Sequence, residues 1–137
     1  RRAGEKLVKQ GILKYPPRLG FHSPDELKTL SADAYLYIHC AIVEVEGLSC
    51  LEAIRDGAVP VISQAPLSAT SQFALVPESL FPAKDPRALA ERIDWWIEHP
   101  EERQRMSLEY AKSALNYDVQ KTIQALIQMY NDALSRQ

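Results

Sequence analysis

At 137 residues, 46% hydrophobic and 25% charged, the chain has the size and composition of about one globular domain, which excludes a disordered segment. Its net charge of -2 gives no electrostatic ground for nucleic-acid binding, so no nucleic-acid partner is expected. No apolar run reaches the roughly 18 residues that cross a bilayer, and the opening Arg-Arg-Ala-Gly-Glu is not a signal peptide. The first residues sit in mid-pattern, on a helix already under way, which reads as a piece of a longer protein.

In chain order, residues 3–11 end a helix stopped by Gly11, and Arg18 to Phe21 predicts a short strand. Ser23-Pro-Asp-Glu26 has Ser at the N-cap, Pro at the first helical position and Glu at the third, so a helix starts there and runs to about Leu30. Tyr35 to Val43 is nearly all apolar, the pattern of a central parallel strand covered on both faces. A helix over 48–56 ends at Asp56-Gly57, and Val59 to Ser63 and Ser79 to Phe81 are the next strands. This alternation is the doubly wound pattern of an α/β fold, a Rossmann-like parallel sheet flanked by helices.

The second half is helical. Asp85-Pro86 opens a helix with Leu89, Ile93, Trp96 and Ile97 on one face, and Pro100 opens another carrying Met106, Tyr110 and Ala114. Asp118 caps a third with Val119, Ile123, Leu126, Ile127, Tyr130 and Leu134 in a stripe. One α/β domain spanning 1–137, with a helical C-terminal segment, is the resulting expectation.

Cys40 and Cys50 have no Cys-x-x-Cys spacing and read as two small buried residues of a reducing compartment. The histidines His22, His39 and His99 are scattered, and no Asp-x-Asp pair or Walker loop is present, so no metal site can be read.

The informative stretch runs from Glu44 through Gly47 to Glu52. A strand delivers the first carboxylate to the C-terminal edge of a sheet. The helix opening at Gly47 to Ser49 offers free N–H groups, and its first turn holds the second carboxylate. Amides that bind anions, flanked by carboxylates that accept hydroxyls, suit a ligand with both phosphate and sugar hydroxyls, such as a nucleotide-sugar. Each residue also has a purely structural reading. Ser49-Cys-Leu-Glu52 fits a capping box, Glu44 fits a solvated loop carboxylate, and Gly47 fits a backbone angle that only glycine tolerates. His39 fits a core histidine, and Ser68, Thr70, Ser71 and Gln72 fit turn residues bonded to their own backbone.

Glu44-x7-Glu52, followed by Ala53, Gly57 and Pro60-Val-Ile62, resembles the signature of the retaining family-4 glycosyltransferases of the GT-B fold. The resemblance narrows at Pro66 to Leu75 and Glu78 to Phe81 to the bacterial lipid branch, which includes cholesterol α-glucosyltransferases and diacylglycerol glucosyltransferases. It implies the donor-binding half of a hexosyltransferase moving glucose from UDP-glucose to a sterol or diacylglycerol. That half is expected to be inactive without an N-terminal domain that binds the acceptor. It implies Glu44 as the catalytic-centre carboxylate near the donor sugar, and Gly47, Leu48 and Ser49 at the sugar and diphosphate. Glu52 takes the ribose hydroxyls, and the turn with Phe21 and His22 lines the base pocket. It also implies no cofactor and no metal, basic residues for the diphosphate from a region upstream of the match, and a cytoplasmic enzyme at the inner membrane face. The chain departs from the pattern at Val45-Glu46, where the family has Gly-Phe, and at Leu67 to Thr70, where it has a Gly-Gly loop. The competing readings are a transferase of capsule or lipopolysaccharide synthesis and a non-catalytic α/β binding module. A response-regulator-like domain fits poorly, because its acidic cluster and late Lys-Pro are missing.

Overall fold

β3 (Val59–Gln64) is the strand around which the sheet forms, with every residue from Val59 to Ser63 buried. The computed structural model describes residues 2–12, 15, 17, 18 and 20–136. β1 (Leu36–His39) pairs parallel with β3 from Leu36↔Val59 to His39↔Ile62, and β5 (Leu80–Pro82) pairs parallel on the other side from Ile62↔Leu80. Pro60 precedes the stretch that β5 pairs, so its missing N–H falls where β1 alone lies alongside. All three strands therefore end at one edge of the sheet.

The long strand expected over 35–43 is broken in two, and it is not central. β1 stops at His39, and β2 (Val43–Glu44) pairs instead with β4 (Leu67–Ser68) in a separate parallel pair. The partner segment breaks at the same level, at Ala65-Pro66, because proline cannot continue a ladder. Ser63 Oγ donates to the Ala41 carbonyl at 2.7 Å and ties the two breaks together. Among the described residues β1 is an edge strand, and Tyr35 and Ile38 are partly in solvent. The strand expected over 18–21 does not form at Arg18, Gly20 or Phe21, and Leu19 lies outside the described residues.

Helices α1 (Arg2–Lys9) and α2 (Pro24–Asp33) precede the sheet. Gly11 follows α1 with φ +67, as a helix stop requires. The Ser23–Glu26 capping box forms, its Glu26 carboxyl is held below the usual range by the Ser23 amide, and α2 runs three residues past Leu30. α3 (Leu48–Arg55) buries Cys50, Ala53 and Ile54 and ends at Gly57 with φ +97. α5 (Pro100–Ala114) packs on it through Met106, Tyr110 and Ala114, and Ser107 Oγ donates to the Gly57 carbonyl at 2.6 Å. α4 (Pro86–Glu98), capped by Asp85, drives Trp96 into the core at 0% exposure, while Ile97, expected on the same face, points to solvent. Trp96 Nε1 donates to the Glu78 carbonyl at 3.2 Å.

One further expectation fails. Cys50 is buried, which pushes its thiol up to about 12, but Cys40 is exposed because it follows the end of β1 instead of lying inside a strand. The stripe on α6 (Val119–Ser135) is amphipathic as read, yet all six of its residues are exposed. α6 packs chiefly on the 3₁₀ turn Leu115–Tyr117 before it and leaves the core behind.

The segment after β3 is held from below. Its 3₁₀ turns, Ala69–Phe73 and Pro77–Ser79, flank Leu75, whose N–H donates to the buried Tyr110 hydroxyl at 2.9 Å. The same hydroxyl donates to Ser79 Oγ at 2.7 Å. Upon this segment rests Gly47, buried and left-handed at φ +72. A Cβ there would run into Thr70 Cγ2, and Phe73 would stand 3.1 Å away.

Tyr110→Phe removes both bonds and strands the Leu75 N–H and the Ser79 hydroxyl. We expect a loss of about 2 kcal/mol and a Tm lower by about 5–10 °C in calorimetry; an unchanged Tm would show that the hydroxyl holds nothing. Gly47→Ala combines left-handed strain of about 1 kcal/mol with overpacking of about 1–3 kcal/mol. Denaturant unfolding should show the loss, whereas a neutral result would mean that Thr70 yields freely.

Candidate functional site

The parallel strands bring the loops 40–47 and 65–79 to one edge of the sheet, the place where open α/β sheets take ligands. There α3 starts. Gly47 is its N-cap and supplies no side-chain cap, while the N–H groups of Cys50 and Leu51 both donate to the Gly47 carbonyl, at 3.0 and 3.1 Å. The amides of Leu48 and Ser49, at the first two helical positions, precede the reach of intrahelical bonding. Both residues are exposed.

Glu44, half-buried on β2, accepts from the Gly47 N–H at 3.4 Å, a long bond. This seats a carboxylate beside the positive end of α3. A second anion cannot share that amide. Glu44 is therefore suited to neutral hydroxyls, and the Leu48 and Ser49 amides to a negative group.

Ser49 and Glu52 face a common cleft of about 410 Å³ between α2 and α3, together with Lys28, Ser31, Tyr37 and Arg55. The volume lies within the usual range of small-molecule sites, about 300–1,000 Å³. The capping box expected at Ser49–Glu52 is not formed, because the helix starts two residues earlier at Gly47 and leaves Glu52 exposed on its second turn. Glu52 also borders a smaller cleft of about 300 Å³ toward Tyr117 and Val119. His22 lies in an adjoining opening of about 420 Å³ with Arg18 and Thr29, and Asp25 borders both this opening and the cleft between α2 and α3. Phe21, by contrast, stands in solvent at 98% exposure and borders none of these clefts.

Tyr37 was not among the residues singled out. Its hydroxyl lies 3.0 Å from Ser49 Oγ and 3.3 Å from His39 Nδ1, and burial raises its pKa, so it remains a neutral phenol. The signal was available: Tyr37 and His39 are two apart on a strand and must share a face. His39 is the buried histidine expected, at 8% exposure, but its Nε2 has no hydrogen-bond partner among the described residues. Ser68 and Thr70 hydrogen-bond each other at 2.7 Å, and their hydroxyls are buried behind Gly47.

A helix terminus contributes about 0.3–2 kcal/mol to a nearby charge. Arg55 pairs with Asp56 at 3.0 Å, its own side chain exposed and the Asp56 side chain largely buried. Among the described residues no group of three or more His, Cys, Asp or Glu could hold a metal ion, and no helix is long and apolar enough to cross a membrane.

The sequence profile of the glycosyl transferases group 1 matches residues 18–114, which include the whole edge just described. Among solved structures, the catalytic domain of cholesterol-alpha-glucosyltransferase from Helicobacter pylori is 47% identical, with a TM-score of 0.76, over 85% of this chain and 73% of that one. No curated protein matches. The likeness shows the expected α/β class: a parallel sheet, flanking helices and a helical C-terminal segment. The profile match over most of the chain, together with this likeness in fold and sequence, makes the protein a member of the glycosyl transferases group 1 family.

Proposed function

We propose that the chain is the donor-binding half of a GT-B-type retaining hexosyltransferase, and that the whole enzyme moves glucose from UDP-glucose to a sterol or diacylglycerol. The observation that carries the donor reading is the cleft wall of Ser49 and Glu52 on the first two turns of α3, whose start lacks a side-chain cap and is flanked by Glu44. The 47% identity to the Helicobacter pylori cholesterol-alpha-glucosyltransferase domain supports glucose and a lipid acceptor.

In this reading the Leu48 and Ser49 amides meet the diphosphate, with Gly47 giving the sugar close access to the backbone. Glu52 accepts from the ribose hydroxyls across the cleft. Glu44 accepts from hydroxyls of the glucose, holding the anomeric carbon against the diphosphate. His22, in the opening beside the cleft, borders the base, and Phe21, in solvent, does not. As the glycosidic C–O bond breaks, negative charge grows on the diphosphate, and the fixed amides stabilise it without reorganising. Their contribution falls short of the roughly 8 kcal/mol or more that enzymic acceleration needs. Cationic side chains elsewhere in the whole enzyme supply the remainder, and a metal ion is not required. The acceptor and the inner face of the cytoplasmic membrane are met through the N-terminal domain of the whole enzyme.

Titration of UDP-glucose, GDP-mannose and ADP-glucose into the whole protein tests this reading. UDP-glucose should bind tightest, and Glu52→Ala should weaken it about 10-fold or more, the effect of losing bonds to a charged acceptor. Equal affinity of Glu52→Ala and the native protein would refute the ribose assignment. Chelation of divalent ions by EDTA should leave glucose transfer unchanged; recovery of a lost activity by added magnesium would overturn the metal-free mechanism.

A further inference from the structure

The start of α3 has an unusual support. Gly47 provides no side-chain cap, so the first turn is held to the sheet by other means. Among the described residues, one side-chain hydrogen bond joins that turn to β1, the 3.0 Å contact of the Tyr37 hydroxyl with Ser49 Oγ. Behind Tyr37 stands His39, its ring stacked at a centroid distance of 6.0 Å and its Nδ1 at 3.3 Å from the hydroxyl. These three groups form a chain from the buried core to the cleft.

We propose that His39 and Tyr37 are positioning residues that orient the Ser49 hydroxyl toward the diphosphate of the bound donor. This rests on the donor-site reading above. A phenol has one proton, which leaves two arrangements. If Tyr37 donates to Nδ1, the Ser49 proton points back at Tyr37 and His39 carries its ring proton on Nε2. That N–H is then buried without an acceptor among the described residues, which is the costly state for a buried donor. If His39 carries the proton on Nδ1 and donates to Tyr37, Tyr37 donates to Ser49. Ser49 then has its own proton free for an oxygen in the cleft, and Nε2 holds only a lone pair.

A phosphate oxygen accepts hydrogen bonds and cannot donate when ionised, so it selects the second arrangement. Burial of Nε2 selects the same one. The empty-cleft cost and the ligand's demand therefore agree on one tautomer, and the serine presents a donor beside the free Leu48 and Ser49 amides. Tyr37 and His39 reach the diphosphate only through Ser49.

The test is the affinity of the whole protein for UDP by titration calorimetry, with Tm measured for every variant. Tyr37→Phe and Ser49→Ala should each weaken UDP about fivefold, the effect of one hydrogen bond, and the double variant should be no weaker than either alone. His39→Ala should show the same loss, while His39→Asn, whose amide N–H can stand where Nδ1–H stood, should restore most of the affinity. Ser49 is exposed on the helix, so Ser49→Ala and His39→Asn keep the test decisive if Tyr37→Phe folds poorly. Losses that multiply in the double variant, or an His39→Asn variant no better than His39→Ala, would overturn the proposal. Glu52→Ala run alongside separates the two failures. If it also leaves UDP affinity intact, the donor site itself is misplaced; if it alone weakens UDP, only the positioning chain is wrong.

Discussion

The site depends on one close contact, Gly47 pressed against Thr70 and Phe73. The left-handed backbone at this position turns the chain from β2 into α3, and the absence of a Cβ lets that turn rest on the segment following β3. That segment is itself fixed by Tyr110 and by the Trp96 bond to Glu78. The position of the α3 amides is thus set by core residues of α4 and α5, whose side chains never reach the cleft. A site on such a support meets its ligand already organised, which is how modest amide dipoles become useful.

Charge is divided between two places. Glu44 occupies the Gly47 amide and so neutralises part of the helix terminus, while the next two amides remain exposed. Glu52 lies on the cleft side, beside Ser49 and Tyr37. Two carboxylates near one anion-binding turn would repel a phosphate if both crowded it. Here one accepts from the backbone and the other is solvated on the second turn, so the two do not crowd the same amides.

The breaks at residues 40–42 and 65–66 explain how Glu44 arrives where it does. A continuous strand would carry it straight beyond the sheet. The interruption at Pro66, with Ser63 bridging to Ala41, lets a second parallel pair form and swings Glu44 over Gly47. Apolar content alone cannot tell one long strand from two short ones, because both are rich in the same residues.

Local signals determined much of this protein. Hydrogen-bonding side chains and proline act within a few residues, so the starts of α2, α4 and α6 and the glycine stops were legible. So was the place of Glu44 beside a helix start, although Glu52 falls on the second turn of α3 and not on the first as expected. Burial was legible only where neighbours exist in the tertiary structure. The apolar stripe of α6 is exposed along its length, and β1 reads as central but, among the described residues, lies at an edge. The capping box at Ser49 lost to Gly47, since a left-handed residue two positions earlier opened the helix first. Tertiary structure alone decided that Tyr37 would meet Ser49 and that Thr70 would leave no room at Gly47. Those contacts join segments that approach one another only after the strands have paired.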